Sequence, residues 1–508
     1  MANPLLYICK YFGVDWQKIQ SLSPYLLALN LIYFFPILIH NTPYIDELDW
    51  CVTGSTNHVA NGRILGDFLS SILSFNFDFS KNFLIDSGSL NQILSITVLS
   101  FAVSIFYLRI NNKEPSLYFA ILIFIFLANP FLLTLLSYKS FCFNGALPIS
   151  LALLASLNSQ NRLYNIVIGS TLLLIMLNLY QSPLNIFFSA TALLFLIEFK
   201  NNTKKSFVLL FDNILKFSTA FSIYKLLIIP NIVHKFNDYC NGRRQTVPFD
   251  DNFLTQIHDH CWLYINKLQH VFSAPNFLVI FSIISIVAFG IKYIFIDNNK
   301  KVSSFFVYIL CSSALFFNIF GLLIFLKSPT VEPRLLIGFS VFLLYLYFAF
   351  DQSIAKWFPS LKILVFIPLM YFTFISFSFN AMTTSQYQYN YSVAKSVMDK
   401  LEDLGFNQQN ELFTHGSLGY APSVKNSTNK NPLLSFLFPD EYFIGNAWYV
   451  DWFFKYLGFK ARYRYIKPEI LMPLCKSRPV YASQSYKIIH NENLFIVAFK
   501  GQCYNLSE

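Results

Sequence analysis

Charged residues are scarce in this chain. Asp, Glu, Lys and Arg together make up 13% of its 508 residues, whereas hydrophobic residues make up 55% and include 58 phenylalanines. Soluble globular proteins carry about 25% charged residues, so the composition excludes a soluble protein and indicates an integral membrane protein. The net charge of +10 comes from cations scattered over short loops. Their natural partner is the lipid bilayer, and no basic patch indicates a nucleic-acid partner.

The motifs that bind soluble nucleotides are missing as well. The sequence has no Gly-rich phosphate loop, no Walker pattern and no GxSxG nucleophile motif. It also lacks a CxxC pair, which argues against a thiol metal site. The outer compartment of a bacterium holds no nucleotide sugars, so group transfer there needs a lipid-carried donor. No small-residue cleavage site follows the first apolar segment, which we therefore expect to remain as the first span.

Apolar runs bounded by polar loops predict a polytopic α-helical membrane protein with eleven transmembrane helices. The helices are expected near residues 22–39, 90–110, 116–136, 143–158, 163–179, 183–199, 215–233, 276–296, 302–326, 335–350 and 361–380. Lys and Arg are enriched in alternate connections, which places the N-terminus inside. The odd number of spans then places the C-terminus outside, together with the long loops 40–89 and 234–275.

The tail from residue 381 to residue 508 differs in composition from the apolar part. Residues 394–404 have helical spacing and are followed by Gly405, and residues 486–499 indicate two strands that form a hairpin. We therefore expect a transmembrane domain over residues 1–380 and a small C-terminal α/β domain over 381–508. The sequence leaves open whether this domain binds an acceptor, closes a site or is a rigid appendage.

Six of the eight cysteines fall outside or at the outer edge of the membrane, namely Cys51, Cys142, Cys240, Cys261, Cys475 and Cys503. An even number on an oxidising side allows disulfides. The simplest pairs are Cys240 with Cys261 and Cys475 with Cys503, but spacing alone does not fix the connectivity.

An acidic loop directly follows the first predicted span. It contains Asp46, Glu47 and Asp49, and Arg63 lies further along the same loop. Carboxylates are costly inside lipid, so a cluster of them at a membrane surface marks either a reaction or ion site or a solvated loop that stays out of the bilayer. The residues alone do not favour one of these interpretations.

Other polar residues lie at the outer ends of later spans. Tyr180 and Gln181 form the turn between the fifth and sixth spans, and Glu332 and Arg334 precede the tenth. Taken singly, Tyr180 is typical of an interfacial turn and Arg334 of a surface anchor. Taken together with the acidic loop, they form a carboxylate-and-guanidinium set that is suited to moving a proton and holding a phosphate.

These short motifs resemble a known family. Tyr44-Ile45-Asp46-Glu47, Gly54 and Asn61-Gly62-Arg63 are similar to the Asp-Asp, Gly and Gly-Arg pattern of the serotype-converting O-antigen glucosyltransferases of temperate phages. Tyr180-Gln181 and Pro333-Arg334 fit the same family, so the resemblance covers nearly the whole chain. Glu47 stands where the family commonly has a second Asp, which leaves the catalytic base open between Asp46 and Glu47.

The resemblance implies a GT-C-like glycosyltransferase in the bacterial inner membrane, with a cytoplasmic N-terminus and a periplasmic C-terminus. It implies undecaprenyl-phosphate glucose as the donor, a sugar hydroxyl of the lipopolysaccharide O-antigen as the acceptor, and inverting displacement. Asp46 or Glu47 would take the acceptor proton, and Arg63 or Arg334 would stabilise the departing phosphate. No metal is required, although a divalent ion held by the acids is compatible. The substrate-binding residues would be Asp49, Arg63, Tyr180, Gln181 and Arg334.

Two other functions remain open at this point. One is an O-antigen polymerase or another lipid-linked sugar transferase, which we expect to carry its large outer loops between late spans. The other is a flippase or transporter of lipid-linked sugars, which often shows internal repeats and mid-membrane charges. This sequence shows no convincing repeat, and its charges gather at the predicted membrane surfaces.

Overall fold

A computed structural model of the chain describes residues 4–40, 42–56, 58–78, 83–159, 161–232, 245–274, 276–296, 301–439, 448–463 and 468–500. Over these residues the protein is mostly helical, with a five-stranded sheet near the C-terminus. The chain divides into two compact units. Unit 1 comprises Met1–Ile39, Thr56–Phe83 and Ser87–Phe377, and unit 2 comprises His40–Ser55, Leu84–Asp86 and Ser378–Glu508.

Unit 1 is built from helices. Its α-helices are Pro4–Tyr11, Trp16–Ile39, Ile64–Leu73, Leu90–Ile110, Leu117–Phe124, Pro130–Leu136, Cys142–Ala155, Arg162–Leu179, Leu184–Asn201, Thr203–Ser222, Ile229–Ile232, Phe253–Val271, Asn276–Ile291, Lys301–Phe317, Phe339–Gln352 and Ile354–Trp357. Tighter or wider helical turns occupy Val59–Asn61, Ile223–Ile228, Lys292–Ile296, Gly321–Phe325, Pro333–Leu335 and Pro359–Val365. The helix Phe366–Asp403 begins in unit 1 and ends in unit 2.

In the described part of the chain, seven helical segments are long and apolar enough to cross a membrane. They are Trp16–Ile39, Leu90–Ile110, Arg162–Leu179, Leu184–Asn201, Thr203–Ile232, Asn276–Ile296 and Pro359–Asp403. The predicted class, a polytopic helical membrane protein, is therefore confirmed. The predicted number of eleven spans is not confirmed, because the remaining predicted segments form shorter helices.

The predicted span 116–136 shows why the count differs. Its apolar run consists of two helices, Leu117–Phe124 and Pro130–Leu136. Proline lacks a backbone N–H and disfavours a helical residue before it, so a helix ends ahead of Pro130 and another begins there. The side chain of Asn129 caps the second helix by accepting a hydrogen bond from the Phe131 backbone N–H at 2.9 Å. Apolar composition does not distinguish one helix from two.

A buried lysine joins helices within unit 1. Lys216 is 0% exposed, and Gly169 approaches it so closely that an added Cβ would lie 2.6 Å from its Cδ. The Lys216 ammonium lies within 3.0 Å of four oxygen atoms: Ala155 O, Leu157 O, Asn158 Oδ1 and Asn213 Oδ1. Two of these are backbone carbonyls at the end of helix Cys142–Ala155, where a cation is favourable. The lysine therefore has a structural role.

Unit 2 is an α/β unit with a five-stranded sheet in the order β2-β1-β5-β4-β3. The strands are β1 (Glu411–His415), β2 (Arg462–Tyr463), β3 (Tyr481–Ala482), β4 (Tyr486–Asn491) and β5 (Leu494–Phe499). Strand β1 is parallel to β2 and β5, whereas β4 pairs with both β5 and β3 in antiparallel fashion. The hairpin predicted over residues 486–499 is confirmed, with Asn491 opposite Leu494.

Helices cover both faces of this sheet. On one face, the end of helix Phe366–Asp403 and helix Trp448–Tyr456 pack on β1, β4 and β5 through residues such as Val397 and Phe454. Leu48 belongs to the same apolar core, so the helix Glu47–Thr53 is part of unit 2. On the other face, helix Pro468–Cys475 contributes Leu471 and Cys475. The remaining helices of the unit are Pro422–Lys430 and Pro432–Leu437. The domain boundary near residue 380 and the periplasmic location of the tail stay predictions.

The structure tests part of the cysteine prediction. Cys261 carries a free thiol, so the proposed Cys240–Cys261 disulfide is wrong. Cys261 lies on the helix Phe253–Val271, and Cys240 lies outside the described residues. Cys475 is disulfide-bonded, as predicted, whereas Cys503 lies outside the described residues.

Candidate functional site

A buried carboxylate shapes the loop that carries Arg63. Asp67 is 5% exposed, and its Oδ1 accepts hydrogen bonds from the Thr56 hydroxyl at 2.6 Å and the His58 backbone N–H at 3.0 Å. Its Oδ2 accepts the Val59 backbone N–H at 3.1 Å. These bonds form the turn that precedes Gly62, which has a φ of 74°. Glycine adopts this left-handed conformation without strain, and Arg63 follows it directly.

The guanidinium group of Arg63 lies against two aromatic rings. Its Cζ is 4.8 Å from the ring centroid of Tyr180 and 5.4 Å from that of Phe141. The two rings meet edge to face, with their centroids 6.0 Å apart. A cation over the face of an aromatic ring is attracted by the ring quadrupole, so this arrangement restricts where the guanidinium points.

The turn before Arg63 is also held from two other helical segments. The Tyr224 hydroxyl donates to the Gly62 carbonyl oxygen at 2.9 Å, and the Gln181 Nε2 donates to the same oxygen at 3.3 Å. Gln181 also donates to the Tyr224 hydroxyl at 3.0 Å. Tyr224 lies in the π-helical segment Ile223–Ile228, a local geometry that is frequent at functional sites. The structure thus brings Arg63, Tyr180 and Gln181 together.

Arg334 belongs to the same part of unit 1. Its Nε donates to the Glu332 carboxylate at 2.8 Å, and a terminal guanidinium nitrogen donates to the Tyr138 hydroxyl. Its Cζ lies 5.2 Å from the Tyr138 ring centroid. The Tyr138 and Phe141 rings meet edge to face, with their centroids 6.5 Å apart. Arg334 and Arg63 therefore contact opposite ends of a row of rings, Tyr138, Phe141 and Tyr180, which we call the aromatic row.

The guanidinium groups of Arg63 and Arg334 supply positive charge to this cluster, and the Glu332 carboxylate offsets part of the charge of Arg334. His58 is 3% exposed, and its ring centroid lies 5.0 Å from that of Phe141. Burial, and secondly the positive charge of Arg63, lower the pKa of His58 to about 3. The imidazole is therefore neutral at ordinary pH. With two arginines at the aromatic row, the cluster is suited to binding an anion such as a phosphate.

Several residues of this cluster were not predicted from the sequence. Tyr138 and Phe141 link the two arginines, and Asp67 and Tyr224 hold the Arg63 turn. One sequence signal lies at Lys139, which is only 4% exposed in the structure. A lysine between aromatic residues at the end of an apolar run is consistent with a site near an interface.

The three acids occupy one helical turn of unit 2. The helix Glu47–Thr53 begins after Asp46, which allows the acids to lie near the positive end of the helix dipole, and it ends at Gly54 with a φ of 64°. The Asp46 Oδ1 accepts a hydrogen bond from the Tyr449 hydroxyl at 3.1 Å. Among the described residues, no group of three His, Cys, Asp or Glu side chains has the arrangement of a metal site.

The two candidate bases have different surroundings. Glu47 is 1% exposed, and its Oε2 accepts the Tyr44 backbone N–H at 3.0 Å. The Glu47 backbone N–H in turn donates to the Tyr44 carbonyl oxygen at 3.2 Å. Asp46 is only half-buried. Glu47 therefore stabilises its own loop, whereas the Asp46 carboxylate is partly exposed to solvent.

Asp49 is half-buried on the same turn. Burial raises its pKa, the positive charge of Lys455 partly opposes this effect, and the negative charge of Asp46 adds to it. The predicted site residues thus divide between the units: Asp46, Glu47 and Asp49 belong to unit 2, and Arg63, Tyr180, Gln181 and Arg334 belong to unit 1.

Sequence comparison gives the family. The Glucosyl transferase GtrII family matches residues 35–345, a range that includes every predicted site residue. The chain belongs to this family. The GtrII chain is also 27% identical over 448 residues to an uncharacterized 55.3 kDa protein in the gtrB 5′ region of Salmonella phage P22, which covers 83% of this chain and 87% of that protein. No solved structure matches it. The family resemblance predicted from the sequence is confirmed, and the membership indicates a membrane-associated glycosyltransferase with a sugar donor and a sugar acceptor.

Proposed function

We propose that this GtrII protein transfers a glucosyl group from undecaprenyl-phosphate glucose to a sugar hydroxyl of the lipopolysaccharide O-antigen, at the periplasmic face of the bacterial inner membrane. The observation that carries the proposal is the pair of guanidinium groups, Arg63 and Arg334, held by the aromatic row of a helical membrane unit. The sequence lacks a nucleotide-binding motif, so a lipid phosphate is the anion that fits these groups. The glucosyl group follows from family membership.

Asp46 is the base that we favour in this reaction. Glu47 is buried and its carboxylate holds the Tyr44 N–H, whereas the half-buried Asp46 is oriented by the Tyr449 hydroxyl. The acceptor hydroxyl oxygen forms the new bond to the anomeric carbon as its proton passes to the carboxylate. Asp49 increases the negative charge of this turn and binds substrate.

The leaving group determines the role of the arginines. The bond between the anomeric carbon and the phosphate oxygen breaks, and the electron pair stays on the lipid phosphate. Arg63 and Arg334 stabilise the charge that develops there. Direct displacement inverts the anomeric centre and needs no resident metal, although a divalent ion held by the acids is compatible with it. Tyr180 and Gln181 act on the donor by holding Arg63 and its turn.

Mass spectrometry of the O-antigen tests the proposal. We would compare the polysaccharide released from the bacterium that carries the gene with that from a deletion strain. We expect one additional hexose per repeat unit when the protein is present, and its loss with Asp46→Asn or Arg63→Met at equal membrane levels. Glu402→Gln, which changes an exposed carboxylate of unit 2, is the control and should retain transfer.

The same strains separate the other functions. An O-antigen polymerase changes the chain-length distribution while the composition of each repeat stays constant. A flippase moves lipid-linked sugar across proteoliposomes without consuming it. Either result in place of the added hexose would contradict the proposed transfer.

A further inference from the structure

In unit 2, helix Trp448–Tyr456 places polar side chains beside the acidic turn of helix Glu47–Thr53. Helix Trp448–Tyr456 packs against helix Glu47–Thr53, with Leu48 and Val450 in one apolar core. The Tyr449 hydroxyl donates to the Asp46 carboxylate at 3.1 Å, so the two helices also share a hydrogen bond. The residues that follow Tyr449 on helix Trp448–Tyr456 therefore lie near the turn that carries Asp46, the predicted base.

Lys455 acts electrostatically on carboxylates of both helices. Its Nζ is 4.0 Å from the Trp452 ring centroid and 5.1 Å from the Tyr463 ring centroid, so the ammonium is held by aromatic faces. Its charge acts on Asp49 and on Asp451. Burial raises the pKa of Asp451 to about 6, and Lys455 partly opposes that shift. The lysine thus favours the ionised form of both acids without using up their hydrogen-bonding capacity.

Four polar groups of this cluster have unused hydrogen-bonding capacity. Within the part of the chain that the structure describes, the Asp49 and Asp451 carboxylates and the Lys455 ammonium form no side-chain hydrogen bond or ion pair. The Tyr463 hydroxyl oxygen is buried and has no partner there either. Burial, and secondly the negative charge of Asp451, raise the pKa of Tyr463. A buried polar atom without a partner is unfavourable, and the Tyr463 hydroxyl is such an atom, whereas the three charged groups are half-buried and open to a ligand. A ligand that bonds to all four would satisfy the hydroxyl as well.

The geometry points to Asp49, Asp451, Lys455 and Tyr463 as the subsite that binds the sugar acceptor, with Trp452 in its wall; this assignment rests on the proposed function. Carboxylates accept hydrogen bonds from sugar hydroxyls, and the tyrosine hydroxyl donates to ring or hydroxyl oxygens. The flat face of an aromatic residue packs against the apolar face of a pyranose.

The net charge selects the acceptor over the donor. With Asp46, the cluster has three carboxylates and one ammonium, which repels a phosphate and tolerates a neutral carbohydrate. The lipid-phosphate donor fits the arginines of the aromatic row instead. Lys455 acts through the carboxylates as a positioning residue, while Asp451 and Tyr463 contact the acceptor.

A binding measurement without donor tests this assignment separately from transfer. The full-length protein in nanodiscs would be titrated by calorimetry with O-antigen oligosaccharides released by mild acid from the lipopolysaccharide of the bacterium that carries the gene. We expect Asp451→Asn and Tyr463→Phe each to raise the Kd by about tenfold or more, since each removes one hydrogen-bonding group. Lys425→Met, which removes an exposed lysine elsewhere in unit 2, should leave the Kd unchanged.

Two further variants guard against loss of folding. Tyr463→Phe keeps the ring in place, and Asp451→Glu should recover part of the binding because it restores a carboxylate. Lys455→Met should raise the KM for the acceptor and leave the KM for the lipid donor unchanged. An unchanged Kd in both Asp451→Asn and Tyr463→Phe, or no binding by the unaltered protein, would overturn the subsite. Binding without any transfer would retain the subsite and reject the proposed function.

Discussion

The side-chain nitrogen of Gln181 donates a hydrogen bond to the Gly62 carbonyl oxygen at 3.3 Å, although the residues lie 119 positions apart in the chain. The same nitrogen contacts the Tyr224 hydroxyl at 3.0 Å, and Tyr224 holds the same carbonyl. Two distant segments therefore hold Gly62, the residue that precedes Arg63. The orientation of Arg63, for which we propose a role in binding phosphate, therefore depends on side chains that need not touch the substrate.

Replacing Gln181 with leucine tests this dependence. The change shortens the side chain by one atom and removes the amide donor, so Gly62 and Tyr224 each lose a partner worth about 1 kcal/mol. We expect kcat/KM for transfer to fall about tenfold or more as Arg63 loses its fixed position. The assay uses purified protein in proteoliposomes with lipid-phosphate glucose. Tyr224→Phe should give a smaller loss, and normal rates in both variants would show that Arg63 is positioned without them.

Arg63→Lys tests the geometry of the guanidinium. Lysine keeps the charge but lacks the planar group that lies against Phe141 and Tyr180 and that binds phosphate through two parallel bonds. We expect the KM for the lipid donor to rise about tenfold or more, since a charge-assisted bond is lost. Arg109→Lys changes an exposed arginine and should match the unaltered protein. An unchanged donor KM at position 63 would mean that charge alone suffices there.

The sequence was sufficient for the class of the protein and for part of the fold. Long apolar runs define membrane helices because each must satisfy its own backbone in lipid, and the hairpin at residues 486–499 has a local turn signal. The two helices within residues 116–136 were missed because both are apolar throughout. Residues 40–55 belong to unit 2 because Leu48 packs into its core. Such a tertiary contact cannot be predicted from a local sequence pattern.

The candidate site was only partly predictable for a related reason. Aromatic residues make up 19% of the chain, so Tyr138 and Phe141 do not stand out until the fold places them between two arginines. Asp67 and Glu47 are acids like Asp46, but burial gives them structural roles. The residues around Asp451 lie in a tail whose composition resembles that of many soluble domains.

The contrast between Glu47 and Asp46 gives a third prediction. Glu47→Gln leaves an oxygen for the Tyr44 N–H but removes the charge, so we expect the protein to lose about 1 kcal/mol of stability. Its transfer rate per folded molecule should stay within about twofold, because we propose Asp46 and not Glu47 as the base. Asp46→Asn should abolish transfer and leave the Tm unchanged. Thermal unfolding and turnover of both purified variants decide the matter, and the opposite pattern would make Glu47 the base.

His58 gives a prediction about acid stability. Its pKa is lowered to about 3 in the folded protein from an ordinary value of 6.5, so between these values the unfolded state binds a proton that the folded state does not. Stability from this residue is therefore complete above pH 6.5 and is lost progressively as the pH falls toward 3. At a pH near 5 the loss is on the order of 2 kcal/mol.

The variant His58→Phe removes this titration and keeps a ring beside Phe141. We expect its Tm in detergent to fall less than that of the unaltered protein when the pH is lowered from about 7 to about 5. His58 gains a proton on unfolding in that range, and phenylalanine at the same position cannot. The Tm change between the two pH values is compared between the variant and the unaltered protein, so the titration of groups common to both proteins cancels. His490→Phe, which changes an exposed histidine of unit 2, is the control and should retain the acid sensitivity of the unaltered chain. Equal Tm shifts in all three proteins would mean that His58 is protonated in the folded state.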